Sequence, residues 1–336
     1  MVSQRHFVIA VVGPTGTGKS ALAEALALHL QGEIISADSM QVYKGMDIGT
    51  AKVPLNQRAA RYHCLDIVAP GEEFNASQYQ TVAREAIEDI WARGKQPILC
   101  GGTGLYVRAA LDDFKLDGEA AAVQSGEAGQ QDTYAAELQN ASTQLRQRLE
   151  AEAEQLGPEA FHAKLASLDP KSASLIHPNN VRRVVRAFEW LNEGSSYAQQ
   201  AAGFDTNREV YPTVFLGLDM PREELYPRIN RRVDTMLEEG LLDEVNRLVS
   251  EGYEQALTAQ QAIGYKELLQ NNSRNTRGQS SCVILQEAVE HIKQSTRKYA
   301  KRQKSWFRRD TRIQWLDARE PLDVQLDKAL AIIAAQ

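Results

Sequence analysis

A glycine-rich segment near the N-terminus constrains the fold of this 336-residue chain more than any other feature. It matches the pattern GxxxxGK[ST] and lies between an apolar run, Phe7 to Val12, and a segment of helical periodicity, Ser20 to Leu30. In this context successive backbone N–H groups converge on a phosphate, and the helix dipole adds to their attraction. The predicted phosphate-binding residues are Gly13, Pro14, Thr15, Gly16, Thr17, Gly18, Lys19 and Ser20.

The chemistry of this loop leaves its ligand open. Lys19 supplies a positive charge, and the Ser20 hydroxyl is a candidate ligand for Mg²⁺. ATP, GTP and a diphosphate ester all present the same phosphate oxygens. The motif therefore predicts a phosphate site and leaves the polyphosphate unidentified.

Strand and helix patterns alternate through the first hundred residues. Glu33 to Ser36 and Gln96 to Cys100 read as strands, and Ala76 to Arg93 reads as a helix that ends before Gly94. This alternation is typical of a parallel sheet with helices on both faces. Together with the loop it predicts an α/β fold of the phosphate-loop NTPase type.

A segment of different composition interrupts this pattern. Residues 112–205 are helical in pattern, rich in Ala, Gln and Glu, and poor in strand signals, which predicts a mainly helical insertion domain. The core is then residues 1–111 followed by residues 206–336. In its second part we expect strands at 213–218 and 313–316 and helices at 222–239, 241–251 and 284–307.

Two polar positions follow predicted strands. Ligands of open parallel sheets bind beyond the carboxyl ends of the strands, so Asp38 is expected near the phosphate loop. There it would bind magnesium or act as a general base, although a turn or helix-capping aspartate would fit the same position. Thr103 is the one hydroxyl donor in the turn Gly101 to Gly104, which an ordinary strand-to-helix connection would also explain.

Composition excludes several classes of protein. No stretch approaches the roughly 18 apolar residues of a membrane span, so we expect no membrane association. The three cysteines lack a CxxC spacing, which argues against a disulfide framework and a cysteine zinc site and favours a cytoplasmic protein. The net charge of −6 argues against nucleic-acid binding by the whole surface.

One stretch departs from this acidic balance. Arg297 to Arg312 holds eight basic residues and one acidic residue, with Tyr299, Trp306 and Phe307 among them. Such a stretch indicates either an anionic partner or a solvated helix face.

Several segments together resemble a known family, the tRNA dimethylallyltransferases, also called isopentenyl-tRNA transferases. The match runs in order from about residue 7 to residue 316, and the chain lacks the zinc-finger extension of eukaryotic members, so it resembles the bacterial type. It departs from the family at Cys64, where a second histidine is common. The segments that carry the resemblance are the phosphate loop, Asp38 to Lys52, Gly101 to Tyr106, Ile176 to Glu189, Ala262 to Glu267 and Arg302 to Arg309.

The resemblance implies prenyl transfer to tRNA. Family members move a dimethylallyl group from dimethylallyl diphosphate to the N6 amine of the adenosine just 3′ of the anticodon, in tRNAs that read U-initial codons. The phosphate loop then holds the diphosphate leaving group with Mg²⁺ instead of ATP. By the same resemblance Asp38 is the general base, Arg232 holds the diphosphate, and Thr103 donates to its bridging oxygen.

The resemblance also implies which residues meet the tRNA anticodon stem-loop. They are Asp38, Ser39, Met40, Gln41, Arg182, Arg183, Val184, Val185, Arg186, Gln261, Ala262, Ile263, Gly264, Tyr265 and Lys266. In this context the basic stretch is expected to contact tRNA phosphates. We expect the protein to act as a monomer.

Two other classes remain to be weighed. A phosphate-loop small-molecule kinase would explain residues 13–20 and the sheet, but neither the Asp38 to Lys52 block nor the basic stretch. A non-enzymatic RNA-binding protein that senses a nucleotide would need neither Asp38 nor Thr103. Both alternatives are therefore weaker than the prenyltransferase.

Overall fold

A six-stranded parallel sheet forms the centre of the fold, in the order β3-β2-β4-β1-β5-β6. The structure is a computed structural model that describes residues 6–113, 131–203, 208–253, 261–274 and 281–335. The strands are β1 Val8–Val12, β2 Glu33–Ser36, β3 Tyr62–His63, β4 Pro97–Gly101, β5 Thr213–Asp219 and β6 Gln314–Asp317. The predicted α/β class is confirmed.

Helices and loops connect these strands. The helices are α1 Lys19–Leu30, α2 Ala76–Ala92, α3 Gly104–Leu111, α4 Gln131–Leu156, α5 Pro158–Leu168, α6 Pro170–Leu175, α7 Val181–Asn192, α8 Tyr197–Gly203, α9 Arg222–Glu238, α10 Leu241–Ser250, α11 Tyr265–Arg274, α12 Ser281–Phe307 and α13 Leu322–Ala334, with a 3₁₀ turn at Leu55–Gln57.

Strand β1 lies in the interior of the sheet. Val11 pairs with Cys100 of β4, and Val12 pairs with Gly217 of β5. All five residues of β1 are buried, which is why the strand reads as a continuous apolar run instead of an alternating one. Ile9 and Leu22 belong to one apolar cluster, so α1 packs on one face of the sheet. The phosphate loop is thereby fixed above the carboxyl end of a rigid strand.

Helix α2 has its N-terminus specified by sequence. The Asn75 side chain accepts hydrogen bonds from the N–H groups of Ser77 and Gln78, and the Gln78 side chain accepts one from the Asn75 N–H, which completes a capping box. The buried Tyr79 hydroxyl donates to the Ser36 carbonyl at 2.9 Å. Helix α2 is thereby anchored at the carboxyl end of β2, next to Asp38.

The chain divides into two compact units, Met1–Asp112 with Glu209–Gln336, and Asp113–Arg208. The second unit has an apolar core of its own, in which the rings of Phe161 and Phe188 lie 5.0 Å apart. Proline in the first turn begins both α5 and α6, where its missing N–H costs nothing. That residues 112–205 form a tRNA-contacting domain stays a prediction.

The described elements differ from the predicted ones mainly at short edges. Strand β3 pairs with β2 and has only two residues, which is too short for a strand pattern in the sequence to predict it. The strand predicted at 313–316 is shifted to Gln314–Asp317, because the pairing with β5 begins at Gln314, opposite Leu216. Helices α3, α11 and α13 were not predicted.

Candidate active site

Two glycines explain the shape of the phosphate loop between β1 and α1. Gly13 has φ +138°, and a Cβ there would lie 2.3 Å from the carbonyl oxygen of Leu218 in β5. Gly18 has φ +88° and precedes α1, with open space where a side chain would project. Only glycine adopts these conformations without strain, so the loop turns tightly and exposes its backbone at the N-terminus of α1.

Lys19 lies along the inside of this loop. Its Nζ donates to the Pro14 carbonyl at 2.7 Å, and the Thr17 hydroxyl donates to the same carbonyl at 2.9 Å. Burial lowers the pKa of Lys19 to about 8. A desolvated ammonium beside converging N–H groups is suited to an anionic ligand. The next residue, Ser20, is exposed.

Helix α9 brings Arg232 to the loop. Its Nη1 donates to the Thr15 hydroxyl at 3.1 Å, although the two residues are 217 positions apart in the chain. Burial lowers the pKa of Arg232, and the Asp38 carboxylate acts in the opposite direction. The neighbouring Arg231 is exposed. The structure thus brings Lys19 and Arg232 to the same loop, and that they hold a diphosphate stays a prediction.

Asp38 and Thr103 follow β2 and β4, which are adjacent in the sheet. The Ser39 N–H donates to the Thr103 hydroxyl oxygen at 3.1 Å, and the Thr103 N–H donates to the Ala37 carbonyl at 3.1 Å. The Asp38 carboxylate also accepts a hydrogen bond from the Met40 N–H at 2.9 Å. Asp38 therefore stabilises its own turn and also lies at the sheet edge. Because parallel strands end at one edge, these two segments meet there.

The glycine turn after β4 is packed too closely for side chains. A Cβ on Gly101 would lie 2.1 Å from the Ala37 carbonyl oxygen, and one on Gly102 would lie 2.1 Å from Gln303 Nε2. A Cβ on Gly104 would lie 2.1 Å from the Trp306 ring. These glycines therefore permit the segment after β2 and helix α12 to close on the turn that carries Thr103.

Sequence reasoning missed Gln303, which is 5% exposed. Its Oε1 accepts the Thr15 N–H at 2.9 Å, and its Nε2 donates to the Gly102 carbonyl at 2.9 Å. Tyr299, one turn earlier on α12, lies within hydrogen-bond reach of Thr103 and Gln303, and burial raises its pKa to about 12. The spacing of Tyr299, Gln303 and Trp306 on one helical face was the available signal.

Helix α12 and the residues after it carry most of their bases on the exposed side. The interleaved aromatic residues pack inward, and Phe307 is 3% exposed. Lys304 pairs with Asp219 at 2.7 Å, and Arg312 pairs with Asp112 at 2.8 Å, so these two bases stabilise the fold. The exposed bases of the stretch are Lys298, Lys301, Arg302, Arg308 and Arg309.

A cleft of about 740 Å³ lies beside Arg232. One part of its wall is apolar, and another is organised by Lys52, whose Nζ donates to Asp47 at 2.8 Å and to Asp66 at 2.5 Å. The cleft residues are Asp47, Ile48, Ala51, Lys52, Val53, Pro54, Leu55, Gln57, Arg58, Asp66, Arg232, Thr235, Met236 and Glu239. The Asp38 to Lys52 block thus extends from the sheet edge into this cleft.

The predicted tRNA-contacting residues differ in exposure. Arg182, Arg183 and Gln261 are exposed, and Arg186 is half-buried in an ion pair with Glu189 at 3.0 Å. Ser39, Met40 and Gln41 follow β2 and are half-buried, and Ser39 contacts Thr103. Ile263 and Lys266 are also half-buried. The buried members are Val184, Val185, Ala262, Gly264 and Tyr265.

The described part of the chain shows no group of three or more His, Cys, Asp or Glu side chains arranged to hold a metal ion. Within the same described residues, no helix is long and apolar enough to cross a membrane.

Comparisons with known proteins agree with this geometry. The family model for IPP transferase matches residues 41–310. The tRNA dimethylallyltransferase of Halalkalibacterium halodurans is 41% identical over 325 residues, which cover 96% of this chain and 94% of the relative.

The chain is also similar to two solved structures. The full-length tRNA isopentenylpyrophosphate transferase from Bacillus halodurans has a TM-score of 0.67 and 39% identity, covering 98% of this chain and 96% of that one. A eukaryotic dimethylallyltransferase acting on tRNA has a TM-score of 0.73 and 30% identity, covering 97% and 77%. The loop, the segments around Asp38 and Thr103, and this full-length similarity lead to one conclusion: the chain belongs to the IPP transferase family.

Proposed function

We propose that this enzyme transfers a dimethylallyl group from dimethylallyl diphosphate to the N6 amine of the adenosine 3′-adjacent to the anticodon, in tRNAs that read U-initial codons. The products are N6-(dimethylallyl)adenosine and diphosphate. The observation that carries the proposal is the meeting of the segments around Asp38 and Thr103 at the sheet edge, with Lys19 and Arg232 on the phosphate loop. The relatives' names give no support to a small-molecule kinase.

The leaving-group side of the reaction uses the phosphate loop. Breaking the allylic C–O bond builds negative charge on diphosphate, and donors already in position stabilise charge where it develops. Lys19, Arg232 and the backbone N–H groups of the loop are such donors. The Thr103 hydroxyl donates a hydrogen bond to the bridging oxygen of the bond that breaks.

The acceptor side uses Asp38. The N6 lone pair is delocalised into the adenine ring, so the amine is a poor nucleophile and loses a proton as the C–N bond forms. The Asp38 carboxylate takes that proton. Base catalysis of this kind contributes about 10²–10⁴-fold.

The donor set at the loop fits Mg²⁺. Magnesium is commonly held by one or two protein oxygens together with phosphate oxygens and water. Ser20 is an exposed residue in the first turn of α1, and its hydroxyl would hold the ion together with the diphosphate. When bound, the ion would neutralise charge on the leaving group.

We assign tRNA binding to residues from both units. The target base is stacked in the anticodon loop and must be extruded into the site, which costs a few kcal/mol. The exposed Arg182 and Arg183 of α7 and the exposed bases of α12 supply phosphate contacts that offset this cost. Buried Val184, Val185 and Ala262 support these segments from inside. The protein acts as a monomer.

The test is direct product analysis. Purified enzyme is incubated with Mg²⁺, dimethylallyl diphosphate and unmodified tRNA that reads a U-initial codon, and the digested tRNA is analysed by mass spectrometry. We expect one adenosine, next to the anticodon, to gain a C5H8 unit without ATP. A tRNA with guanosine at that position is the matched control and should stay unmodified. Absence of product, combined with ATP turnover on small hydroxyl acceptors, would replace this proposal with the kinase.

A further inference from the structure

We propose that Gln303 is a positioning residue for prenyl transfer, which holds the phosphate loop at a set distance from the turn that carries Thr103. This inference rests on the proposed function. Gln303 lies on α12, about 290 residues beyond the loop and 201 residues beyond Gly102. Its amide is a direct side-chain link between these two segments.

The Gln303 side chain makes two hydrogen bonds that join these segments. Gln303 Oε1 accepts the Thr15 N–H, and Gln303 Nε2 donates to the Gly102 carbonyl, both at 2.9 Å. Thr15 is also the residue to which Arg232 donates, and Gly102 directly precedes Thr103. Each end of one amide therefore reaches a segment to which we assign a role in breaking the C–O bond.

The Gln303 side chain is also almost completely buried. Gln303 is 5% exposed, and a buried amide that lost either partner would leave a polar group unsatisfied. Both polar ends of this side chain are satisfied, which keeps it in one orientation. Gly102 has no side chain, and a Cβ there would lie 2.1 Å from Gln303 Nε2. The turn and the helix thus leave room for this amide and little else.

Glutamine suits this position better than other side chains of similar size. The link needs an acceptor for Thr15 and a donor for Gly102 on one group of this length. Asparagine is one methylene shorter, and ionised glutamate accepts but cannot donate. Methionine or leucine fills the volume without either hydrogen bond.

The kinetic consequence follows from where the bond breaks. The diphosphate is bound by the loop, whereas Thr103 must reach its bridging oxygen from the turn. Without Gln303 the loop keeps Lys19, Arg232 and its own N–H groups, so the donor still binds. The alignment of the loop with Thr103 is lost, and misplacement by about 1 Å costs up to about 100-fold in rate.

The experiment compares three variants of the full chain. Gln303→Ala removes the link, Gln303→Glu keeps the volume and the acceptor, and Gln294→Ala removes an exposed glutamine from the same helix as a control. For each we would measure kcat, KM for dimethylallyl diphosphate and for tRNA, binding of inorganic diphosphate, and the thermal midpoint. We expect both Gln303 variants to lower kcat about 10- to 100-fold. Both KM values and diphosphate affinity should stay within about threefold, and Gln294→Ala should match the wild type.

Three outcomes would overturn the proposal. Unchanged kcat in folded Gln303→Ala would show that the link is dispensable. Full kcat in Gln303→Glu would show that the donor to Gly102 is not needed. A rise in KM for tRNA with unchanged kcat would make Gln303 part of the tRNA surface. Wild-type enzyme that forms no prenylated tRNA would instead refute the proposed function, and this inference with it.

Discussion

The Tyr265 hydroxyl donates a 2.5 Å hydrogen bond to Glu244 Oε1 in the interior of the protein. The same carboxylate accepts the N–H groups of Asp47, Ile48 and Gly49 at 3.0, 2.9 and 3.2 Å. Burial raises the pKa of Tyr265 well above its ordinary value, and the Glu244 charge adds to the effect. Tyr265 thus secures the block that lines the cleft, although the family resemblance implied a tRNA contact.

This relationship makes Tyr265→Phe informative. The change removes one hydrogen bond to a buried carboxylate, so we expect a loss of roughly 1.5–3 kcal/mol in the free energy of unfolding. Affinity for tRNA should stay within twofold, because the ring remains packed on Gly49. Urea unfolding and filter binding measure the two quantities, with half-buried Tyr226→Phe as the control. Normal stability with tenfold weaker tRNA binding would assign Tyr265 to the tRNA surface.

Two variants of Asp38 separate its proposed role as a base from its hydrogen bond with the Met40 N–H. Asp38→Asn keeps an acceptor for the Met40 N–H and cannot act as a base, whereas Asp38→Ala removes both. We expect each to lower kcat at least ~100-fold, with tRNA affinity within a few-fold. Single-turnover prenylation and tRNA binding provide the measurements. Near-normal turnover by Asp38→Asn would eliminate this residue as the base.

Two adjacent arginines of α9 offer a matched pair. Arg232 donates to Thr15 on the phosphate loop, and Arg231 is exposed. A hydrogen bond to a charged group contributes about 1.5–3 kcal/mol, so Arg232→Ala should lower kcat/KM for dimethylallyl diphosphate roughly 10- to 100-fold. Arg231→Ala should stay within twofold. Equal effects of the two variants would contradict a specific role for Arg232.

The exposed bases of α12 predict a salt dependence. Replacing Lys301 and Arg302 with alanine removes two candidate phosphate contacts, so the slope of log Kd against log salt should fall by about 1.5. Removing Arg319 and Lys328, which pair with Asp317 and Glu320, changes the net charge equally and should leave the slope unaltered. Binding titrations between low and moderate salt distinguish the two. Equal slopes in both double variants would mean that α12 presents only a solvated face.

Glu33 predicts how stability depends on pH. Its side chain is 2% exposed and bonds to Arg93, Lys95 and His63, and the hydrogen bond from Arg93 holds the pKa of Glu33 well below its ordinary value. A depressed carboxyl pKa stabilises the folded state above the unfolded pKa of about 4.3, and this contribution is lost as pH falls below it.

Glu33→Gln should therefore lower the free energy of unfolding by roughly 1.5–3 kcal/mol at pH 7 and flatten its decline between pH 5 and pH 3. Asp89→Asn, at the exposed partner of Arg93, should change it much less than Glu33→Gln does. Urea unfolding over this pH range gives both values. A decline in Glu33→Gln as steep as in the wild type would assign the acid sensitivity to other groups.

Local features of the site were readable from the sequence. The phosphate loop could be predicted because its glycines, lysine and serine are consecutive and lie between a strand and a helix. The closeness of Asp38 and Thr103 was predictable in outline, because parallel strands end at a common edge. The proximity of Arg232 came from the family resemblance alone.

For α12 the sequence predicted only part of what the structure shows. Its basic composition was visible in the sequence, but which bases are exposed and which pair with Asp219 or Asp112 was not. The aromatic residues among these bases pack inward, and Trp306 lies against the glycine turn at Gly104. Composition reports the residues on a helix, whereas packing decides which face each one occupies.

Sequence by itself determined the phosphate loop, the parallel α/β class and the family. These depend on contiguous motifs and on the local periodicity of strands and helices. Only the tertiary structure decided that Gln303 joins Thr15 to Gly102 and that Glu244 and Tyr265 secure residues 47–49. The physical reason is that such hydrogen bonds join residues roughly 20 to 290 positions apart in the chain, and burial selects their partners after the strands and helices have packed.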